Sequence, residues 1–231
     1  MEHSLSAVYL QDVTFSYRQN TQLLQISALE IDEGERVFLY GPSGSGKSTL
    51  LGVIGGILRP DTGEVQVLGK DLRRISSAER GRHRGAEMGY IFRNFNLIPY
   101  LSVHENIALP CYVHAKRMKR IIASTLDGEV LRIAGRLDLG ECLQKPAAKL
   151  RVDEKQRITL ARAIIGAPGL VIADEPTSLL DRDQQEHFLR LLIEVCSEIR
   201  STLIFASHDR LLMSEFERHI SMREMNQAVL C

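Results

Sequence analysis

The residues with the clearest capacity for chemistry lie in segment 41–49, GPSGSGKST, which matches the pattern GxxxxGK[ST]. An apolar-rich run, 36–40, precedes the segment and another, 50–54, follows it, which predicts a strand, a glycine-rich turn and a helix. In such a turn the backbone N–H groups point inward, and the helix N-terminus adds partial positive charge. The sequence therefore predicts a cradle for a polyphosphate, formed by Gly41, Ser43, Gly44, Ser45, Gly46, Lys47, Ser48 and Thr49.

Two side chains of this segment have distinct predicted roles. Lys47 would reach the outer phosphates as a point charge, and the Ser48 hydroxyl would coordinate Mg²⁺. A glycine turn that only caps a helix is the alternative interpretation. The strand predicted before the segment and the helix predicted after it favour nucleotide binding.

Two later strands end in residues that could act on a phosphate. The buried run 170–173, LVIA, ends in Asp174 and Glu175, and the run 201–206 leads to His208. In α/β sheets, ligands bind at the carboxyl ends of such strands. One carboxylate can hold Mg²⁺ through water and the other can orient or deprotonate an attacking water. His208 is predicted to contact phosphate, the alternative being a structural histidine.

The rest of the chain supplies the elements that must position these groups. Near-alternating apolar residues predict strands at 6–17 and 23–31, which suggests an antiparallel flap. Tyr17 ends the first strand, where its ring could stack on a base or be an ordinary edge tyrosine. Strand signals fade after 88–92, and helical spacing at 103–109 and 121–137 predicts an inserted helical subdomain.

The composition of the 231-residue chain limits the classes of protein that it can form. Lys plus Arg and Asp plus Glu both number 29, so a duplex-binding surface is not expected. No apolar run reaches the roughly 20 residues that a membrane span requires, because glycine or charged residues interrupt each run. No secretory leader pattern opens the chain. No CxxC spacing links Cys111, Cys142, Cys196 and Cys231. We expect one domain, or one domain with an insertion, that is soluble in a reducing cytoplasm and binds no nucleic acid.

The motifs follow one another in the order of a known family: GPSGSGKST, a strand ending in IF, a helical insertion, QRITLARA, VIADEPTSLLD and FASHD. The chain resembles the ATP-binding cassette of ABC transporters over essentially its full length. Segments 95–99, FNLIP, and 103–110, VHENIALP, resemble cassettes of lipoprotein-releasing and macrolide-exporter-type systems. The resemblance implies an α/β P-loop NTPase with a RecA-like, mostly parallel sheet, an N-terminal antiparallel β subdomain and an inserted helical subdomain.

Within a single ABC domain at 1–231, we expect the RecA-like core at 1–92 and 157–231 and the helical insertion at 93–156. The resemblance also implies residue roles: Tyr17 stacks on adenine, 41–49 is the Walker A loop, Asp174 is the Walker B carboxylate for Mg²⁺, Glu175 is the catalytic base, Asp181 belongs to the D-loop, and His208 is the switch histidine. The implied ligands are ATP and Mg²⁺, and the implied reaction is attack of water on the γ-phosphorus, with Lys47 stabilising charge. The implied partners are a second cassette and an integral membrane permease. The resemblance also implies a bacterial protein that lies peripherally at the cytoplasmic face of the inner or plasma membrane.

Two positions depart from the family pattern. The family has a glutamine after strand 88–92, whose amide oxygen faces Mg²⁺, but this chain has Arg93. A guanidinium has no acceptor and cannot coordinate a cation, although it could approach the γ-phosphate. The family signature LSGGQ is replaced by LRVDE at 150–154. In the family, the signature of one cassette closes over the ATP of another, and this replacement removes two glycines and adds two carboxylates at that place. The alternative interpretation is that the carboxylates only stabilise a helix N-terminus.

Two functions remain open from the sequence. The first is an ATPase subunit that works with an asymmetric partner cassette and drives a separate permease. The second is a weakly hydrolytic or non-hydrolytic cassette that regulates or scaffolds a membrane complex. Glu175 and His208 favour the first function, whereas LRVDE and Arg93 favour the second.

Overall fold

The computed structural model describes residues 6–17 and 22–228. They form two compact units. The first unit comprises the described residues of Met1–Arg84 and Thr202–Cys231, and the second comprises Gly85–Ser201. Across the described ranges, no helix combines the length and the apolar character that a bilayer span requires.

Strands and helices alternate along much of the chain. The strands are β1 (Ser6–Ser16), β2 (Gln22–Asp32), β3 (Arg36–Tyr40), β4 (Thr62–Val67), β5 (Lys70–Asp71), β6 (Met88–Ile91), β7 (Leu170–Asp174), β8 (Thr202–Ser207) and β9 (Arg218–Ser221). The helices are α1 (Lys47–Ile54), α2 (Ser77–Glu87), α3 (Val103–Val113), α4 (Ala115–Lys119), α5 (Leu126–Arg136), α6 (Val152–Ile164), α7 (Arg182–Glu198) and α8 (Met222–Met225). Short 3-10 helices span Gly140–Cys142, Ala147–Lys149 and Arg210–Glu215.

The first unit contains the predicted antiparallel sheet. Its strand order is β2-β1-β4-β5, and β1 pairs antiparallel with both β2 and β4. On β1 the inward positions are apolar, because alternate side chains of a strand point to opposite faces of the sheet. These buried residues are Val8, Leu10, Val13 and Phe15.

The first unit also contains three parallel strands. β3 lies between β8 and β9 and is parallel to both, with Tyr40 opposite Ser207 on β8 and Ser221 on β9. Every residue of β8 is buried, as its apolar sequence predicts for a strand covered on both faces. Because Tyr40 and Ser207 are in register, β3 and β8 end at the same edge of the sheet.

The second unit combines a parallel strand pair with helices. β6 is parallel to β7, with Ile91 opposite Ala173. Helix α3 begins at a capping box in which the Ser102 hydroxyl accepts from the Glu105 backbone and the Glu105 carboxylate accepts from the Ser102 backbone. Helix α7 buries an apolar stripe made of Phe188, Leu189, Leu192, Val195 and Cys196.

Helix α5 starts later than the sequence pattern indicates. Apolar spacing predicts a helix from residue 121, but the helix begins at Leu126. Instead, the backbone N–H groups of Ile122 and Ala123 donate to the buried Glu129 carboxylate, and the Thr125 side chain caps the helix. The predicted subdomain 93–156 lies within the second unit, and its boundaries stay a prediction.

Arg117 is the largest polar side chain in the interior of the second unit and is 2% exposed. Its guanidinium donates to the backbone carbonyls of Ala163 at 3.0 Å, Ile165 at 2.6 Å and Met88 at 2.5 Å. Burial lowers the pKa of Arg117 to about 10. The hydrogen bonds tie α4 to β6 and to the end of α6.

We expect Arg117→Ala to lower the free energy of unfolding by about 3 kcal/mol or more, because each buried carbonyl left without a donor costs about 1–3 kcal/mol. Lys116→Ala is the matched control, since its ion pair with Glu87 is exposed on the lysine side. Loss of such a pair costs less than about 1 kcal/mol. Urea unfolding followed by circular dichroism measures both variants, and equal stability of the two would contradict the assigned role of Arg117.

Candidate nucleotide-binding site

The phosphate loop of the first unit joins β3 to α1. Gly44 and Gly46 both have left-handed backbone conformations, with φ of 81° and 94°. Gly46 is the N-cap of α1, and no side chain of the described residues caps this helix end. The first N–H groups of α1 are therefore not occupied by a capping side chain, and the helix dipole places partial positive charge there.

Lys47 is folded back onto the loop. Only 5% of the residue is exposed, and its Nζ donates to the carbonyl oxygens of Gly41 at 2.7 Å and Pro42 at 3.2 Å. This arrangement keeps an ammonium group at the mouth of the loop. A phosphate oxygen there would meet a positive charge that is already positioned.

The loop residues fit a polyphosphate in two further respects. The Ser45 hydroxyl is buried and has no hydrogen-bond partner among the described residues, which leaves a polar atom that a ligand can satisfy. A Cβ at Gly41 would lie 2.7 Å from Ser45 Oγ, and a Cβ at Gly46 would lie 2.9 Å from Leu24 Cδ2. A side chain at either glycine would therefore force Ser45 or Leu24 to move.

Tyr17 lies at the end of β1, and 64% of the residue is exposed. Its ring meets Phe15 edge to face with centroids 4.9 Å apart, and its hydroxyl lies 3.4 Å from Thr49 Oγ1 on α1. The ring is thus held beside the phosphate-loop helix while most of the residue stays exposed. An exposed, anchored ring is suited to stacking on a nucleotide base.

His208 follows β8 directly and is exposed. Since Ser207 lies opposite Tyr40, His208 leaves the sheet at the same edge as Gly41. The structure therefore brings His208 and the phosphate loop to one edge of the parallel strands in the first unit. Ser48, the predicted Mg²⁺ ligand in this unit, is exposed in the first turn of α1.

The predicted carboxylates belong to the second unit. Asp174 is the last residue of β7 and Glu175 follows it, and both are half-buried. Glu175 has φ of 47°, a left-handed conformation that non-glycine residues adopt at a cost and that is concentrated at functional sites. Because β6 and β7 are in parallel register, Arg93 lies just beyond the same edge of this strand pair.

Sequence reasoning missed Arg162, which holds the turn after Arg93. Phe95 and Asn96 have φ of 57° and 51°, and their carbonyl oxygens accept from the Arg162 guanidinium at 2.8 Å and 2.6 Å. Burial lowers the pKa of Arg162 to about 10. The fork of donors on one guanidinium keeps two consecutive left-handed residues in place. The sequence offered no signal for this contact beyond an arginine on a helix.

Asn226 was also missed, since the sequence after residue 219 carries no recognised motif. The Asn226 side chain accepts from the Gln25 backbone N–H at 2.8 Å and donates to the Leu23 carbonyl at 2.9 Å. It also donates to the carbonyl of Ser45 at 3.4 Å. The C-terminal segment thus ties β2 to the phosphate loop.

The signature segment forms the start of α6. The Glu154 carboxylate accepts from the Arg151 backbone N–H at 2.8 Å. Asp153 accepts from the Arg151 and Arg157 guanidiniums, each at 3.1 Å. Both carboxylates therefore stabilise the helix N-terminus, while Val152 leaves a side chain exposed at the first position of the helix.

A glycine loop between a parallel strand and a helix, with a buried lysine at the start of that helix, defines a P-loop nucleotide-binding protein. The ABC transporter family matches residues 24–178, which is more than half of the chain. The chain belongs to the ABC transporter family as an ATP-binding cassette. As a member of this family it is a nucleotide-binding ATPase subunit. The predicted family, fold class and ATPase class are confirmed.

Its relatives match nearly the whole chain. The lipoprotein-releasing system ATP-binding protein LolD of Shewanella oneidensis is 34% identical over 217 residues, covering 93% of this chain and 92% of the relative. LolD 2 of Rhodospirillum rubrum is 35% identical over 204 residues, covering 87% of this chain and 86% of the relative.

Two solved structures are similarly close. A dimeric bacterial ABC transporter cassette has a TM-score of 0.81 at 31% identity and covers 93% of each chain. A dimeric post-hydrolysis cassette bound to ADP and Pi has a TM-score of 0.81 at 30% identity, again covering 93% of each chain. In these relatives the fold is found as a cassette dimer, and in one of them with bound nucleotide.

We expect Gly46→Ala to weaken nucleotide binding by about tenfold or more, because an L-residue in the left-handed conformation costs about 1–2 kcal/mol and its Cβ would also press on Leu24. Gly44→Ala, with a left-handed backbone but open space around the Cβ, should have a smaller effect. Gly140→Ala is the control, since the site is open and not left-handed. Titration with a fluorescent ATP analogue measures all three, and wild-type affinity of Gly46→Ala would contradict the assignment.

Proposed function

We propose that this chain binds Mg-ATP on its phosphate loop, hydrolyses it with Glu175 as catalytic base, and drives a separate membrane permease as one half of an asymmetric cassette pair. The observation that carries the proposal is that one chain combines a phosphate loop built to accept a ligand with a signature segment that has no glycines. The first part is supported by Lys47, poised on the loop carbonyls, and by the Ser45 hydroxyl, which is buried without a partner among the described residues. LRVDE supports the asymmetry.

The residue roles follow from the chemistry of each side chain. Lys47 and the N–H groups of the phosphate loop bind the phosphates and stabilise charge on them. Glu175 accepts a proton from the attacking water. His208 contacts the γ-phosphate as a hydrogen-bond partner, and Tyr17 stacks on the adenine.

Ser48 and Asp174 are the residues that would hold Mg²⁺. Both offer oxygen ligands, which this cation prefers, and Ser48 is exposed in the first turn of α1. Bound Mg²⁺ neutralises negative charge on the phosphate oxygens. Arg93 lacks an acceptor and cannot take the ligand position of the family glutamine. We propose that its exposed guanidinium contacts the γ-phosphate instead.

The altered signature makes this chain a poor lid for ATP bound to another cassette. Like charges about 5 Å apart repel by about 3 kcal/mol at an effective dielectric constant of about 20. The guanidiniums of Arg151 and Arg157 offset part of this repulsion at Asp153. They do not restore the close backbone approach that glycines permit, since Val152 and Asp153 both carry a Cβ.

This chain has an intact phosphate loop but an altered signature, and this contrast leads us to propose an asymmetric pair. With a partner whose signature is intact, the phosphate loop, Glu175 and His208 of this chain complete one hydrolytic site. The second site, closed by LRVDE, would turn over slowly or not at all. In a homodimer both sites would contain the altered lid.

The membrane partner that we propose is a separate permease. The relatives LolD and LolD 2 are named as ATP-binding proteins of lipoprotein-releasing systems, so a permease of that class is the first candidate. Such a partner would hold this cassette peripherally at the cytoplasmic face of the membrane. The alternative function, an ATP-binding cassette that regulates or scaffolds the complex with little hydrolysis, is favoured by LRVDE and Arg93.

We expect Glu175→Gln to lower ATP turnover by about a hundredfold or more in a mixture with a partner cassette, since positioned general bases contribute about 10²–10⁴-fold. Nucleotide binding should not be weakened, because Gln keeps the shape of Glu and the substitution removes a negative charge that faces the phosphates. Steady-state phosphate release from mixtures with candidate partners measures turnover. If no mixture shows a loss of turnover with Glu175→Gln, the proposed hydrolytic role is wrong.

Restoring the family residues tests whether LRVDE and Arg93 limit hydrolysis, which is the premise that the two functions share. The restored chain carries the substitutions Arg93→Gln, Arg151→Ser, Val152→Gly, Asp153→Gly and Glu154→Gln. We expect its homodimer to hydrolyse ATP at least about tenfold faster than the unmodified homodimer, since each 1.4 kcal/mol removed from the barrier gives a factor of about ten.

The same five substitutions in a Glu175→Gln background are the control and should give no increase. Rapid hydrolysis by the unmodified homodimer would show that LRVDE is a competent lid. That result would exclude both the asymmetric pair and the scaffolding alternative.

A further inference from the structure

The C-terminal segment of the first unit lies against the phosphate loop. Because Tyr40 on β3 is opposite Ser221 on β9, helix α8 leaves the sheet at the same edge as the loop. Met222, the first residue of α8, is 1% exposed. A Cβ at Gly41 would lie 3.0 Å from the Met222 Cβ, so α8 packs against the beginning of the loop.

Asn226 follows α8 and is hydrogen-bonded both to β2 and to the loop. It is 7% exposed, and its Oδ1 accepts from the backbone N–H groups of Gln25 at 2.8 Å and Ala228 at 3.3 Å. Its Nδ2 donates to the carbonyl oxygens of Leu23 at 2.9 Å and Ser45 at 3.4 Å. A side-chain amide has two donor hydrogens and one oxygen with two lone pairs, so its hydrogen-bonding capacity is fully used.

The hydrogen bond to Ser45 determines the direction of a donor in the loop. The Ser45 carbonyl and the Gly46 N–H belong to one planar trans peptide, so the two groups point in opposite directions. Since the carbonyl points to Asn226, the Gly46 N–H points away from the C-terminal segment. In the part of the chain that the structure describes, the Gly46 N–H donates to no other group, so this donor is left for a ligand.

Without the contact to Asn226, this peptide would be held less firmly. It precedes Gly46, which has a left-handed conformation. Glycine populates left-handed and right-handed conformations about equally, so a peptide next to a glycine reorients at little cost. A hydrogen bond to the carbonyl selects one orientation before the nucleotide binds, which reduces the entropy lost on binding.

We propose that Asn226 is a positioning residue for the phosphate loop. Its amide fixes the Ser45–Gly46 peptide so that the Gly46 N–H points toward the phosphates of a bound nucleotide. This inference rests on the proposed binding of nucleotide at the loop and identifies a residue that sets the affinity. It requires neither Glu175, nor hydrolysis, nor a partner cassette.

The first test is titration of the full chain with a fluorescent ATP analogue, at a temperature where circular dichroism shows each variant to be folded. Asn226→Ala should weaken binding by about tenfold, which corresponds to about one hydrogen bond. Gln227→Ala is the matched control and should bind like the unmodified chain. The Gln227 side chain is exposed, and its hydrogen bond to Gln25 is made by the backbone.

Asn226→Asp separates the two halves of the amide. It keeps an acceptor oxygen for the N–H groups of Gln25 and Ala228, but it replaces the donor with a carboxylate oxygen that faces the Ser45 carbonyl. We expect affinity at least as low as that of Asn226→Ala, because the carbonyl loses its donor in both variants. Gln227→Glu adds the same charge to the same segment and should have a smaller effect.

Nuclear magnetic resonance reports on the peptide directly. The pair Ser–Gly occurs twice in the sequence, at 43–44 and 45–46. Labelling serine carbonyl carbons with ¹³C and glycine nitrogens with ¹⁵N therefore gives two signals. Nucleotide should move the Gly46 proton signal of the unmodified chain downfield, because the N–H gains a hydrogen bond to phosphate. In the free chain, Asn226→Ala should change the 45–46 signal more than the 43–44 signal.

The outcomes distinguish this inference from the proposed function. If the unmodified chain does not bind nucleotide, both are wrong. If Gly46→Ala weakens binding but Asn226→Ala or Asn226→Asp binds like the unmodified chain, only the role of Asn226 is overturned. The same conclusion follows if nucleotide binds to the unmodified chain and leaves the 45–46 signal in place. This last measurement needs no variant, so it applies even where the Asn226 variants do not fold.

Discussion

The left-handed backbone of Gly44 and Gly46 is the constraint on which the proposed chemistry of this chain depends. These two residues turn the chain sharply enough for the loop to end at the first turn of α1, whose N-terminus has no capping side chain among the described residues. Helix α1 is buried along most of its length, so its N-terminus is held firmly. A fixed ring of N–H groups binds phosphate without the cost of ordering it first.

Parallel strand register is the second constraint, and it acts within each unit. In the first unit, pairing of Tyr40 with Ser207 brings the phosphate loop and His208 to the same edge. In the second unit, pairing of Ile91 with Ala173 does the same for Arg93, Asp174 and Glu175. Parallel strands place all their carboxyl ends together, which is why residues far apart in sequence gather at one edge.

The signature helix shows how one segment can be stable and yet altered for function. Asp153 and Glu154 suit the N-terminus of α6, because they pair with Arg151 and Arg157 and complement the helix dipole. In place of the two glycines of the family signature, which let a backbone approach phosphate closely, this chain has Val152 and Asp153. Local stability and closure over a nucleotide therefore make opposite demands on this segment. In the proposed asymmetric pair, a partner cassette with an intact signature would resolve this conflict for one of the two sites.

The family, the phosphate loop and most strands and helices could be predicted from the sequence, because these depend on residue types at short, regular spacings. It also predicted which residues follow the strand ends, since a buried apolar run indicates where a strand stops. The contacts of Arg117, Arg162 and Asn226 could not be predicted and are seen only in the folded chain. The partners of Arg162 lie 66 and 67 residues earlier, and Asn226 binds residues about 200 positions away. Neither propensity nor periodicity encodes such contacts, because a long polar side chain finds its carbonyls only when the packed backbone brings them within hydrogen-bonding distance.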